Sequence, residues 1–238
     1  MHWFDNHSGS IVLDQDEPGG FRTAYALQDV DILSPYAKGP VAGLFDLEVG
    51  ANWVANGKVE GAEEGNYFKD DAWSEYVRIG KAFGPLQVNL QYVGSQKGGL
   101  ISSGFDTYSS MINSSPESTN EPTSLYTMGN SLGRDDFDEN LFIARLGYEV
   151  TPKLQLFGAV GSLNIDSPNA GSDTSMVYDL QARYQINKTL RTWVTLGMLE
   201  KNDAGRLSGN SVVGATPSGG LFEDDDVIAG SPNIGASF

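Results

Sequence analysis

The feature that most constrains this chain is a pair of alternating runs on either side of Asn187-Lys188-Thr189. In the first run, Met176, Tyr178, Leu180, Ala182, Tyr184 and Ile186 share one face, and Val177, Asp179, Gln181, Arg183 and Gln185 share the other. After the turn, Leu190, Thr192, Val194, Leu196 and Met198 alternate with Arg191, Trp193, Thr195, Gly197 and Leu199. Successive side chains on a strand point to opposite faces, so each run has one apolar and one mainly polar side. Each run is about ten residues long, and a tilted strand needs about 9–11 to cross a bilayer. A polar face sealed in a dry soluble core would be costly. Turned toward a watery lumen, with the apolar face in lipid, it is stable. The hairpin therefore predicts a transmembrane β-barrel.

The rest of the chain repeats the pattern. A first strand is expected over about 23–38, closed by a turn at Gly39-Pro40. In the second, Phe45, Leu47, Val49, Ala51 and Trp53 alternate with Asp46, Glu48, Gly50 and Asn52. A third spans about 72–83 and turns at Gly84-Pro85, after which Leu86, Val88, Leu90 and Tyr92 alternate with Gln87, Asn89 and Gln91. A fifth strand sets Phe142, Ala144, Leu146 and Tyr148 against Ile143, Arg145 and Gly147, turns at Thr151-Pro152-Lys153 and returns through Leu154, Leu156 and Val160. The last segment, Val227 to Phe238, is a weaker strand. Between these runs lie an irregular N-terminal stretch (1–20), a Gly- and Glu-rich loop (56–71), a long polar loop (98–138) and an acidic loop (202–226). A structureless loop of about 40 residues is uncommon in a compact soluble domain but ordinary on the outer side of a barrel. The reading is one all-β domain over 1–238: an antiparallel meander of about nine or ten strands, part of a larger barrel.

Tight turns thus alternate with long polar loops, and aromatics stand at the tight-turn ends: Tyr36, Phe83, Tyr148 and Tyr184. With the terminal Phe238 they form an expected interfacial girdle. Strand ends also carry aromatics simply because aromatics favour strands.

Composition agrees with this reading. No apolar run of the 238 residues approaches the length of a membrane helix, and only 39% are hydrophobic. Barrel strands give a weak hydropathy signal because half of each faces the lumen. Cysteine is absent, so disulfides and thiolate metal sites are excluded. The net charge of −16 gathers in the N-terminal stretch and long loops. It excludes nucleic acid as a partner, since phosphate contacts need Lys and Arg. The acidic loops either solvate the protein or collect divalent cations that bridge to anionic lipid head groups. Met1 is followed by His2-Trp3-Phe4-Asp5-Asn6-His7 rather than a basic and then apolar leader. The expectation is a mature form, a fragment, or a chain that is not exported.

In pattern, the chain resembles Gram-negative outer-membrane porins. It is most similar to the C-terminal part of the porins of sulfate- and metal-reducing bacteria, which are related to the alginate-export type of barrel. The residues that carry the likeness are Asp138–Glu149 with Thr151-Pro152-Lys153-Leu154-Gln155-Leu156-Phe157, then Val177–Ile186, Asn187-Lys188-Thr189 and Leu190–Met198. The resemblance implies passive diffusion of small hydrophilic solutes or ions, outer-membrane lipid as surroundings, and assembly as a trimer or a monomer. It also implies recognition of the last strand, ending at Phe238, by the barrel-assembly machinery. Short turns would face the periplasm. Even strand numbers are the rule, so N-terminal strands are expected to be missing.

With the apolar faces toward lipid, the expected pore lining is Asp46, Glu48, Asn52, Arg78, Gln87, Asn89, Gln91, Arg145, Asp179, Gln181, Arg183 and Arg191. Mixed signs at close quarters order water and polar solutes, or else pair across strands and stiffen the wall. No catalytic constellation is visible: the two histidines, His2 and His7, lie in the irregular N-terminus. The sequence therefore reads as a non-enzyme without a cofactor. Asp135, Asp136, Asp138 and Glu139, and separately Asp224, Asp225 and Asp226, are weak Ca²⁺ candidates because they supply oxygen ligands without EF-hand spacing. The long loop over 98–138 either folds inward as a constriction or stays outside. Two other function classes remain: a non-channel barrel acting as scaffold, adhesin or receptor through its loops, and a soluble β-barrel binder.

Overall fold

The computed structural model describes residues 30–55, 72–97, 107–113, 126–128, 138–167, 171–204 and 225–236, together with the strand placement of 2–6, 10–14, 23–28 and 58–59. In chain order the strands are β1 (His2–Asn6), β2 (Ser10–Asp14), β3 (Thr23–Gln28), β4 (Val30–Ser34), β5 (Tyr36–Val41), β6 (Phe45–Ala55) and β7 (Lys58–Val59). There follow β8 (Ala72–Phe83), β9 (Leu86–Gln96), β10 (Ile112–Asn113), β11 (Tyr126–Thr127) and β12 (Asp138–Thr151). The chain closes with β13 (Leu154–Ser167), β14 (Gly171–Gln185), β15 (Leu190–Leu199) and β16 (Val227–Ala236).

One antiparallel sheet dominates. Its order is β1-β4-β6-β8-β9-β12-β13-β14-β15-β16, a meander of ten positions, with β5 continuing β4 along β6. The sheet is open, and its end strands β1 and β16 each pair on one side among the described residues. Strands β2, β3 and β7 make a separate small sheet, and β10 and β11 form a short parallel pair.

Three sequence expectations change here. Residues 1–20, read as irregular, hold β1 and β2. The expected first strand over 23–38 is divided: β3 joins the small sheet, while β4 and β5 flank Pro35 in the large one. Pro35 has no N–H, yet its carbonyl accepts from Ala51 N at 3.0 Å and keeps the two pieces in line on β6. The first tight turn lies at Ala42-Gly43, not at Gly39-Pro40, which both sit in β5. Pro40 is tolerated because, among the described residues, β5 pairs with β6 alone, so the missing donor falls on an edge left open there.

The turns follow from their residues. Ala42 and Gly43 have φ of 49° and 70°, and Leu44 N donates to Val41 O at 2.9 Å. Positive φ at both central residues of the turn Val41–Leu44 is what type I′ requires, and Leu44 completes a three-residue connection to Phe45. Lys153 N and Leu154 N both donate to Thr151 Oγ1, at 3.2 and 3.0 Å, capping the next turn. Asn187 Oδ1 accepts from Thr189 N at 2.9 Å and Leu190 N at 2.9 Å, the local side-chain bonding that suits Asn to turns.

Burial is inverted relative to a soluble sheet. On one face, Leu90, Phe142, Leu146, Leu180 and Leu196 are exposed at mid-strand, Leu180 at 64% and Phe142 at 58%. On the other, Glu48, Asn52, Gln91, Glu139, Asp179 and Thr195 are buried. That inner face has two zones. Toward the long-loop end, Tyr76, Val93, Leu141, Leu163, Ile165, Val177 and Leu199 form an apolar cluster with Met111, Ile112, Tyr126 and Met128 from the long loop. Toward the tight-turn end the same face carries Arg78, Asn89, Arg145, Gln181 and Arg183.

Candidate functional site

The site is built where the two inner zones meet, and strand register dictates its residues. Directly opposed residues on neighbouring strands share a face. Lys38 opposes Glu48, and Glu48 opposes Arg78. The result is a charge ladder across three strands: Lys38 Nζ lies 3.2 Å and Arg78 NH1 3.4 Å from Glu48 Oε2. Tyr36 Oη donates to Glu48 Oε1 at 2.7 Å. Tyr36 therefore belongs to the inner charged face and not to the girdle expected from the sequence.

A second row crosses five strands. Asn89 opposes Arg145, Arg145 opposes Ala159, Ala159 opposes Asp179, and Asp179 opposes Gly197. The row beside it toward the tight turns contains Gly147, Phe157, Gln181 and Thr195. Gln181 is held by Thr195, to whose Oγ1 its Nε2 donates at 3.0 Å. It accepts from Arg183 Nε at 2.6 Å and from Arg145 NH2 at 3.5 Å. The guanidinium carbons of Arg145 and Arg183 sit 4.2 and 5.0 Å from the centroid of the Phe157 ring, within cation–π range.

Residues 107–112 of the long loop fold onto these rows. Tyr108 N donates to Gln91 Oε1 at 2.7 Å, and Tyr108 Oη to Asn89 Oδ1 at 3.2 Å. The Tyr108 ring lies under two guanidiniums, Arg78 at 4.4 Å and Arg145 at 5.1 Å. Ser110 gives both its N–H, at 3.1 Å, and its hydroxyl to Asp179 Oδ1. Met111 fills the space over Gly197, where an added Cβ would lie 2.5 Å from both its Cγ and Sδ. Thus the described part of the long loop lies inside. Further toward the loop end, Tyr126 donates to the buried Glu139. Burial pushes the Tyr108 phenol above its ordinary value of 10.0. Burial, then the Glu139 carboxylate, pushes Tyr126 higher still. Both side chains act as neutral donors.

The inserted segment leaves a cavity of about 80 Å³ between itself and the wall, lined on the wall side by Arg145, Phe157, Ala159, Asp179, Gln181 and Arg183. The small side chain of Ala159 makes its floor, because it separates the two charged residues of the row. Asp179 is 8% exposed, and its Oδ2 has no hydrogen-bond partner. Arg145 meets two rings and Gln181, and no carboxylate lies within ion-pair distance of it among the described residues.

Of the other expected pore-lining residues, Asn52 is enclosed: it donates to Ser74 Oγ at 2.9 Å and accepts from Ser34 Oγ at 2.5 Å. Asp46, Gln87 and Arg191 are exposed on the inner face toward the tight turns, Arg191 against the Trp193 ring at 5.3 Å. Phe83, Tyr148 and Tyr184 are exposed on the outer face, and Phe238 lies outside the described residues. The cation candidates Asp138 and Glu139 are adjacent on β12, so they point to opposite faces. Asp138 accepts from Lys97 N at 2.7 Å, and Asp226 accepts from Lys201 N at 2.9 Å. Asp225 is exposed, while Asp135, Asp136 and Asp224 lie outside the described residues. Sequence reading gave Tyr36 to the girdle, left Lys38 and Phe157 without a role, and offered the inward fold of the long loop as one of two alternatives without naming the 107–112 segment. Lys38 was within reach of it, being two residues from Tyr36 on a strand opposite Glu48.

No protein-family model and no curated protein matches the chain. Among solved structures, outer-membrane expressed OmpT of Vibrio cholerae has a TM-score of 0.43 at 10% identity, with 76% of this chain and 53% of that one covered. The in-vitro folded OmpT of the same organism has a TM-score of 0.41 at 9% identity, covering 78% of this chain and 57% of that one. The chain thus spans a little over half the length of the structures it resembles, and function has to be argued from its own geometry. The porin family suggested by the sequence pattern is not reached by these comparisons. The expectation of a non-enzyme does not stand either, since an all-β barrel architecture serves catalysis as well as permeation.

Proposed function

We propose that the chain forms the wall of a Gram-negative outer-membrane barrel through which small hydrophilic solutes and ions diffuse. The observation that carries this is the inverted burial. Leucine and phenylalanine side chains are exposed along mid-strand on one face, and guanidiniums, carboxylates and amides cover the other. Such a sheet is stable with lipid outside and water within. A soluble β-barrel binder would leave that apolar face in water, so this reading is set aside. Every described tight turn falls at one end of the meander, and the strand ends from which the acidic segments of the sequence depart lie at the other. The acidic segments collect cations at the entrance, while Arg78, Arg145 and Arg183 hold a cationic band at the waist. Outer-membrane lipid surrounds the girdle at Phe83, Tyr148 and Tyr184, and β16 is the strand offered to the assembly machinery.

The test is conductance in a planar bilayer after refolding. Discrete ohmic steps are expected, with anion preference raised when Glu48 is changed to Gln. A second reading, a barrel acting as scaffold or receptor through its loops, is favoured by the apolar cluster around Met111 and Tyr126, which fills the outer half of the inner face. Stable insertion without conductance would decide for it.

A further inference from the structure

From the charged groups that face each other across the cavity, we infer that it is a binding site for a small carboxylate bearing a hydrogen-bond donor on the adjacent carbon, an α-amino or α-hydroxy acid. This deepens the channel reading and rests on it for its access from the lumen. Three features converge. First, Asp179 is buried beside the Ser109 and Ser110 hydroxyls, its Oδ1 is occupied by Ser110, and its Oδ2 makes no hydrogen bond at the cavity wall. A buried carboxylate oxygen with no donor is costly, and such groups in folded proteins usually mark an absent ligand or water. Second, Arg145 lines the same cavity beyond ion-pair distance of any described carboxylate, with Asp179 as its charge partner across the gap, so an anion entering the gap meets its guanidinium. Third, the register fixes the spacing. Arg145, Ala159 and Asp179 stand side by side on β12, β13 and β14. Neighbouring strands lie about 4.8 Å apart, so the two charged residues start about 10 Å apart at the backbone and reach toward each other over a methyl group.

A ligand that satisfies both walls must present an acceptor with charge on one side and a donor on the other. The size of the cavity agrees: about 80 Å³ holds on the order of five water-sized groups, the scale of glycine or glycolate. A plain carboxylate such as acetate would satisfy Arg145 and leave Asp179 Oδ2 facing its own like charge. A plain amine would do the reverse. The Phe157 ring, already between the guanidiniums of Arg145 and Arg183, supplies the apolar side of the pocket.

The experiment uses the full chain refolded in detergent, titrated calorimetrically with glycine, glycolate, acetate and methylammonium, and the same preparation recorded in a planar bilayer. Glycine and glycolate are expected to bind at least about tenfold more tightly than acetate or methylammonium, the discrimination expected of one hydrogen bond to a charged group. Glycine outranking glycolate would assign the Asp179 side to an ammonium, and the reverse order to a hydroxyl. Arg145→Gln is expected to abolish binding of both. Ala159→Leu keeps every charged group but fills the floor, and is expected to abolish binding. Equal affinity for glycine and acetate, no heat with any of the four at millimolar concentration, or undiminished glycine binding in Ala159→Leu would overturn the site and leave the channel reading standing. Glycine binding in a protein that inserts but never conducts would overturn the channel reading and keep the site.

Discussion

At the scale of single residues, the inner face is governed by what small side chains leave open. Gly197 gives its space to Met111, and Ala159 gives its space to the cavity. Gly197→Val would push a side chain into Met111. Overpacking of this kind costs about 1–3 kcal/mol, and the docked segment bears it, since the strand ladder on either side of residue 197 is continuous. The expected outcome is an intact sheet by circular dichroism, faster maleimide labelling of a Thr107→Cys reporter and a larger single-channel conductance; unchanged labelling would count against the docking. The segment also has a defined alkaline limit. Tyr108 has a raised pKa when docked, because of burial, and an ordinary one of 10.0 when released. The docked state therefore holds the proton more tightly, and its advantage is complete below pH 10.0 and lost as pH climbs above it. Labelling of the Thr107→Cys reporter is expected to show no opening linked to this phenol from neutrality until that limit, then to rise.

Individual strands and turns were the part most legible in the sequence. β6, β9, β12, β14 and β15 alternate cleanly, because a strand with lipid on one side and water on the other writes its two environments into every second residue. Gly39-Pro40 misled because that dipeptide is a turn signal in isolation, and only the open edge of β5 lets Pro40 remain in a strand. The misplaced turn also carried Tyr36 into the girdle, when its partner is Glu48. The 107–112 segment was illegible for another reason. It has no period, and its anchors are split between β9, which precedes it, and β14, 69 residues further on. The hairpin between β5 and β6 offers a test of turn chemistry. Ala42 holds a φ of 49°, where a Cβ costs roughly 1–2 kcal/mol. Ala42→Asn, which brings the Asn-Gly pair that type I′ turns favour, should raise stability by about 1 kcal/mol, read as a higher urea midpoint in lipid vesicles. A lower midpoint would mean the turn is of another kind.

For the whole molecule, the lipid and water assignments of the two faces make a paired prediction. Leu180 and Gln181 are neighbours on β14, one on the exposed apolar face and the other on the inner polar face. Leu180→Arg should cost about 2–4 kcal/mol in a bilayer, as a cation near the midplane does. Gln181→Glu should leave stability in the bilayer close to that of the parent and shift ion selectivity toward cations. Equal stability losses from both would sink the two-sided wall. The distance along the chain between the inserted segment and its anchor has a further consequence, in time. Ser110 and Asp179 are 69 residues apart, and Gly197, under Met111, comes later still. The segment is made long before two of the strands that hold it, so its Ser110 and Met111 contacts cannot form until β14 and β15 have joined the sheet. Contacts of such long sequence separation form late. During assembly, then, the wall is laid first with a hollow interior, and the arrival of the penultimate hairpin is what draws the earlier segment inward.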